Sequence, residues 1–300
     1  MANVYFKVPT LSRKALIYLV LIVWFIFTIF PIYWAVTMSF KDSPSVYGKK
    51  PTYIPFVDFK PTYKAWIHLI GKSVPGEAEF IAMPVMGENA RYLRNSLIVA
   101  LGSSILTLVL GVMAGYALTR FTYRRYNNDN ISFFILSQRM FPPVALAMPL
   151  FLLFTWVRLI DRLPSLILVY SIMNMPIVTW IVKEFFSDVP KELEEAALVD
   201  GSTRWGALFR IIIPIAVPGI AVAFLFSFIF CWNEFLIALC LTFKDAKTLP
   251  VGMGGLTTLR GPLYWDIAAN SLVIMIPPLI VTIFANKYII RGLALGAVKQ

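Results

Sequence analysis

Apolar residues run through this chain in blocks of about 20, separated by short polar breaks, a length set by membrane thickness rather than by a soluble core. The blocks cover 15–37, 92–118, 131–154, 166–181, 215–241 and 267–290. A helix that is hydrophobic all round has to be immersed in lipid or in other helices. The pattern therefore predicts an all-α polytopic membrane protein with six transmembrane helices. A basic lead, 1–14, precedes the first block, and a tail, 291–300, follows the last. The first block is longer than the roughly 7 to 15 residues of a signal-peptide core and lacks a small-residue cleavage site, so it is expected to be retained. Segment 38–91 is rich in Pro, Gly, Lys and Tyr, with a short helix expected over 63–70, and is the one sizeable soluble insertion.

Within 92–290 one long polar break stands out, 188–214, which reads DVPKELEEAALVDGSTRWGALFRIIIP. It predicts two short helices with a stop between them. Pro190 suits the first position of a helix, where its missing N–H would have no partner, and Ser187 or Asp188 can cap it. Glu192, Glu194 and Glu195 then sit near the positive end of the helix dipole. Leu193, Ala196, Ala197 and Asp200 share one face, so small residues lie beside a solvated row of carboxylates, a surface suited to docking. Gly201 ends this helix, Ser202 is expected to cap the next, and Pro214 stands at the head of the fifth block.

The run EEAALVDG, followed after a spacer by RIIIP, resembles the EAA loop of permease subunits in binding-protein-dependent ATP-binding cassette importers. The matching positions are Glu195, Ala196, Ala197, Gly201, Ile211 and Pro214. The flanking text, FFSDVPKELEEAA before it and PGIAVAFLFSFIFCWNEFLIAL after it, is similar to the sugar-importing branch and to its smaller maltose-type permease; the likeness covers most of the chain from Tyr92 onward. The resemblance implies that 185–214 is a cytoplasmic coupling loop, with Glu194, Glu195, Ala196, Ala197, Asp200 and Gly201 seated against an ATPase. It also implies a second, non-identical permease, two nucleotide-binding ATPase subunits that bind the ATP and Mg, an extracytoplasmic solute-binding protein, and a carbohydrate substrate in the form of a sugar, polyol or sugar derivative. The expected location is a bacterial-type inner membrane, with both termini cytoplasmic and 38–91 outside. Charge asymmetry does not orient the chain by itself: with the break inside, the 27 basic residues fall evenly on the two sides, leaving Arg139 within a span. The tail RGLALGAVKQ resembles the short tail that reaches between the ATPases in maltose-type systems.

Polar residues inside the spans are the candidates for a solute path. Gln138 and Arg139 precede Phe141-Pro142-Pro143, and a charge at that depth costs at least ~2.5 kcal/mol unless it faces protein or water. The double proline breaks the helix, which is tolerated beside a cavity or a packed neighbour. Asn174 near Pro176, Asn233 with Glu234, and Asn270 repeat the arrangement, and Tyr170, Trp232 and Trp265 are aromatic candidates for stacking on a sugar ring. Some have a plainer alternative: an interhelical salt bridge or an interface position for Arg139, bundle-holding contacts for Asn233 and Glu234, and an interfacial belt for Trp265. Gly111 and Gly115 have the spacing of a small-residue packing face.

Composition agrees: 59% of residues are hydrophobic, 15% aromatic and 14% charged, and the mean hydropathy is +0.74. The net charge of +11 is spread over loops at both ends of the spans, so a solvated rim against the lipid bilayer fits better than nucleic acid. Cys231 and Cys240 fall on one predicted helix about 13 Å apart along its axis, too far to bridge. With one histidine, His68, a Cys/His metal cluster is not expected. No Gly-x-x-x-x-Gly-Lys-Ser/Thr loop is present, and the acids of 192–200 have no nucleophile in company, so neither ATP hydrolysis nor other catalysis is expected of this chain, and no cofactor. Two rivals remain: an ion-coupled secondary transporter of a small polar solute, which calls for paired carboxylates where Glu234 stands nearly alone, and a membrane-embedded enzyme, which calls for clustered His, Asp or Ser.

Overall fold

The structure, a computed structural model, describes residues 11–72, 84–123, 127–258 and 261–297. Most of the basic lead, part of the 38–91 insertion at 73–83 and the end of the tail at 298–300 lie outside the described residues. In chain order the elements are α1 (Leu11–Ser39), α2 (Ser43–Tyr47), α3 (Lys64–Leu69), α4 (Pro84–Arg120), α5 (Asn128–Ser137), a 3-10 turn (Gln138–Met140) and α6 (Pro143–Trp156). They continue with α7 (Leu163–Ser187), α8 (Lys191–Val199), α9 (Arg204–Ala207), a π-helical turn (Leu208–Ile212), α10 (Ile213–Ile215), α11 (Val217–Trp232) and α12 (Leu236–Leu241). The last are α13 (Leu249–Gly254), a two-residue antiparallel hairpin of β1 (Thr257–Thr258) and β2 (Gly261–Pro262), and α14 (Tyr264–Ala297).

Helices α1, α4, α7 and α14 are long and apolar enough to cross a membrane; two bent pairs raise the number among the described residues to six if each is one span. The six blocks are thus all present, but the third and fifth are not straight rods. The third turns by 86° between Met140 and Pro143. Pro142 forces Phe141 out of the helical region, and both residues are extended, at ψ 125° and 127°. The fifth turns by 80° at Ala216, between α10 and α11. Its second half also departs from the continuous helix expected to Leu241, because α11 stops at Trp232 and a new helix starts at Leu236. The cause is Glu234, whose carboxylate accepts from the N–H groups of Ile237 (2.8 Å) and Ala238 (3.1 Å) and so caps α12. Cys231 and Cys240 therefore sit on two helices rather than one, both as free thiols.

The described chain forms two compact units. One joins the described residues of 1–86 to 256–273. Its core is Ala65, Trp265 and Ala269 with Trp66 and Leu69 against them, and the buried pair His68 Nδ1 and Asp266 Oδ1 lies 2.9 Å apart. Lys41 is buried here too: its Nζ donates to Thr52 O at 2.6 Å and lies 4.7 Å from the Trp34 ring centre. Over Leu16–Phe30 the large apolar side chains of α1 are exposed, as suits a helix whose solvent is lipid.

The other unit, 87–255 with 274 onward, holds the bundle. One of its seams runs between α4 and α7. A Cβ on Gly111 would come within 2.6 Å of Val178 Cγ1, and one on Gly115 within 3.0 Å of Val182 Cγ1, so the two backbones meet where only glycine leaves room. Hydroxyls cross the same seam, Thr107 Oγ1 to Ser171 O and Ser171 Oγ to Ser103 O, both at 3.2 Å. Small residues with hydrogen bonds between close backbones are how helices associate without a hydrophobic drive.

Candidate coupling helix and translocation cavity

The polar break folds as a short stalk with a helix on it. α7 ends at Ser187, and Pro190 stands directly before α8, with no side-chain cap of its own. Gly201 ends α8 with φ +84°, donating to Leu198 O (3.1 Å) while Ser202 N donates to Ala197 O (2.9 Å). A β-carbon is disfavoured at that angle, which is why the stop falls on a glycine. The next helix is capped not by Ser202 but by Thr203, whose Oγ1 accepts from Gly206 N at 3.1 Å.

The acids of α8 divide. Glu192, Glu195 and Asp200 are exposed, with Leu193, Ala196 and Val199 exposed beside them and Ala197 half-buried. Val199 is 87% exposed. Glu194 belongs elsewhere, and the expectation of a solvated carboxylate fails for it. It is 5% exposed, accepts from Tyr116 Oη at 2.5 Å and pairs with Arg120 Nε at 2.9 Å. The reason is the rotation of α8, which turns position 194 back onto the end of α4.

A cavity of about 500 Å³ opens in the bundle where helices are interrupted. Around it stand the turn between α5 and α6, the Pro176 region of α7, and the gap between α11 and α12. Six sequence candidates line it: Gln138, Arg139, Tyr170, Asn174, Asn233 and Glu234. Arg139 follows Asn128 by eleven residues, roughly 16 Å of helix, about half of a ~30 Å hydrocarbon layer. Its Nη1 donates to Met173 O (2.7 Å) and Asn174 Oδ1 (3.1 Å), and the guanidinium lies 4.5 Å from the Phe230 ring centre. Among the described residues it has no carboxylate partner, so the salt-bridge alternative is not what the structure contains. Asn174 is held in turn through Nδ2 to Tyr170 O (2.9 Å). Tyr170 is buried, with its hydroxyl donating to Glu234 Oε2 at 2.5 Å.

Three candidates do not line the cavity. Trp232 is 1% exposed, stacks on Phe228 at 5.8 Å and donates through Nε1 to Ile274 O at 3.0 Å, so its ring is core rather than a platform for a sugar. Asn270 is buried in the other unit, with Nδ2 bonded to Asp266 O at 3.0 Å, a turn back along its own helix. Trp265, offered as a belt or stacking residue, is packed against Ala65 and Ala269 instead. Missed from sequence were Met173, which offers a carbonyl, and Phe230, which offers a ring; neither type signals a polar site.

Residues 107–294 match the family described as binding-protein-dependent transport system inner membrane component, a match that spans the seam, the cavity and α8 together. The chain belongs to this family. Among relatives of this transport family, the inner membrane ABC transporter permease protein YcjP of Escherichia coli (strain K12) is 31% identical over 97% of this chain and 98% of its own length. The trehalose/maltose transport system permease protein MalG of Thermococcus litoralis is 30% identical over 91% of this chain and 92% of its own. A solved bacterial ABC transporter involved in the import of the acidic polysaccharide alginate has a chain of the same fold, with TM-score 0.70 at 18% identity, covering 95% of this chain and 99% of that one. The chain is thus an inner-membrane permease subunit, and the expectation drawn from the EAA run is met at the level of the family.

Proposed function

We propose that this permease subunit forms, with a second non-identical permease, the passage by which a carbohydrate crosses the inner membrane, and that two separate ATPase subunits drive it through α8. ATP and Mg belong to those subunits; this chain supplies no hydrolytic group. An extracytoplasmic solute-binding protein delivers the solute, and the α8 side, with both termini, is cytoplasmic. In this reading Glu195, Ala196, Ala197, Asp200 and Gly201 form the docking surface, and Gln138, Arg139, Asn174, Asn233 and Glu234 line the path.

The observation that carries the reading is the convergence of two helix interruptions and the Pro176 region of α7 on one cavity with six polar or charged side chains in its wall, on a chain that also presents a short helix with exposed apolar and acidic residues. Interrupted helices expose backbone groups that lipid cannot satisfy, and a water-filled solute path can. The relatives support the solute class: besides trehalose/maltose, they include permease proteins for trehalose and for diacetylchitobiose. One solved neighbour is in complex with an alginate pentasaccharide-bound periplasmic protein, which supports the delivery step.

The test is reconstitution in proteoliposomes with the companion permease, ATPase and binding protein. Vanadate-sensitive uptake that needs all four components is expected. Uphill uptake by this chain with no nucleotide-hydrolysing companion would overturn the proposal in favour of an ion-coupled carrier.

A further inference from the structure

The Glu194 carboxylate is buried against the end of α4 instead of standing in solvent, and its position raises a mechanical question. α8 is joined covalently to α7, and the joint is Asp188–Pro190, with Asp188 and Pro190 exposed and Val189 buried in the core. A single apolar side chain leaves such a joint free to rotate unless something else fixes the helix beyond it. Three further side chains do so. Arg120, the last residue of α4, pairs through Nε with Glu194 Oε2 (2.9 Å) and donates through Nη2 to Val189 O (2.9 Å), inside the joint itself. Tyr116, one turn back on α4, donates to Glu194 Oε1 at 2.5 Å. The side chains of Arg120 and Glu194 are 4% and 7% exposed.

We infer that Tyr116, Arg120 and Glu194 form a clamp that makes α8 and the end of α4 one rigid body, so that movement of α8 is passed to the transmembrane helices instead of being lost at 188–190. α4 is seamed to α7 by the Gly111 and Gly115 contacts with Val178 and Val182. α7 carries Tyr170 and Asn174 at the cavity. The clamp therefore closes a loop of stiff connections from α8 through α4 and α7 to the residues that hold Arg139. A buried ion pair costs desolvation and is weak evidence of stabilisation, but this one is flanked by two hydrogen bonds, Tyr116 to Glu194 and Arg120 to Val189, and the three contacts together fix geometry, which is what a transmission element needs. Tyr116, Arg120 and Glu194 are positioning residues on this account; none touches solute or nucleotide.

This inference rests on the proposed coupling to ATPase subunits, and the experiment separates the two. Solute imported per ATP hydrolysed is measured for the full complex in proteoliposomes, with wild type, Tyr116→Phe, Glu194→Gln, and the double variant Arg120→Met/Glu194→Met. The double variant removes both charges together, so it leaves no orphaned buried ion and keeps the test decisive where a single variant is poorly recovered. The expected result is a fall of about fivefold or more in the ratio, the range of ordinary coupling energies, with ATPase subunits still co-purifying. An unchanged ratio in the assembled variants overturns the clamp. Loss of co-purification with an unchanged ratio in the residual complex also overturns it, by making Glu194 part of the docking surface. If wild type itself shows no ATP-driven uptake, the coupling reading has failed rather than the clamp.

Discussion

Asp161 offers a quantitative test of how the ends of the bundle are held together. It sits in the turn after α6 with φ +55°, and its carboxylate accepts from four consecutive backbone N–H groups, those of Phe243, Lys244, Asp245 and Ala246, at 2.9 to 3.2 Å. Its own N–H donates to Leu241 O at 2.9 Å. Successive backbone N–H groups around one anion form a fixed positive concavity. Burial alone would push this carboxyl up; the donors from Asp245, Ala246, Phe243 and Lys244 outweigh it and hold it below the usual aspartate range. Asp161→Asn is the informative change: asparagine tolerates the left-handed angle, so the variant isolates the charge. One oxygen is replaced by an NH₂ facing N–H donors. A hydrogen bond to a charged group is worth roughly 1.5 to 3 kcal/mol; with two lost, and a discount for partial exposure, the expected cost is about 2 kcal/mol.

The readout is the apparent Tm of the detergent-purified protein, wild type against variant, from pH 7 down to about pH 3. Because the folded carboxyl is depressed, its stabilising contribution is present above the unfolded pKa and lost as pH falls through the folded one. The Tm gap is therefore full at pH 7 and begins to narrow only below about pH 4, the unperturbed aspartate value. An absent gap at pH 7, or one that widens on acidification, would refute the reasoning.

Other consequences follow from single contacts. Arg139→Ala should abolish most uptake while the complex still assembles, because the guanidinium is the one cation lining the cavity among the described residues; wild-type uptake rates would remove it from the path. Gly111→Ala puts a methyl 2.6 Å from Val178 Cγ1 and should cost about 1 to 3 kcal/mol as overpacking, read as a lowered Tm; the double change with Val178→Ala should recover part of it. Thr203→Ala removes the cap on Gly206 N, and a cost of about 1 kcal/mol is expected; Ser202→Ala, which caps nothing, should be neutral by the same thermal assay.

The spans and their breaks were legible in the sequence because their causes are local. Hydropathy over about 20 residues finds a membrane helix wherever its neighbours lie, and Pro142-Pro143 ends one whatever packs beside it. Gly201 stops α8 for the same kind of reason. What escaped the sequence is set by distant partners. Glu194 and Glu195 are adjacent and chemically identical, yet one is buried on a tyrosine 78 positions earlier and the other is exposed. The rotation of a nine-residue helix decides which is which, and that rotation is fixed by Tyr116 and Arg120 on another span. The same holds at Trp232 and Asn233, where one residue enters the core and the next lines the cavity because α11 ends between them. Asp161 had no signal at all, since its four partners are backbone groups some eighty positions away. A permease of this kind writes its membrane topology in residue type, but it writes its transmission in contacts between spans. The inward carboxylate of α8 is thus a position where sequence and structure differ sharply: nothing in its own helix sets it apart from Glu195, yet removing its charge alone would leave Arg120 buried without its ion-pair partner.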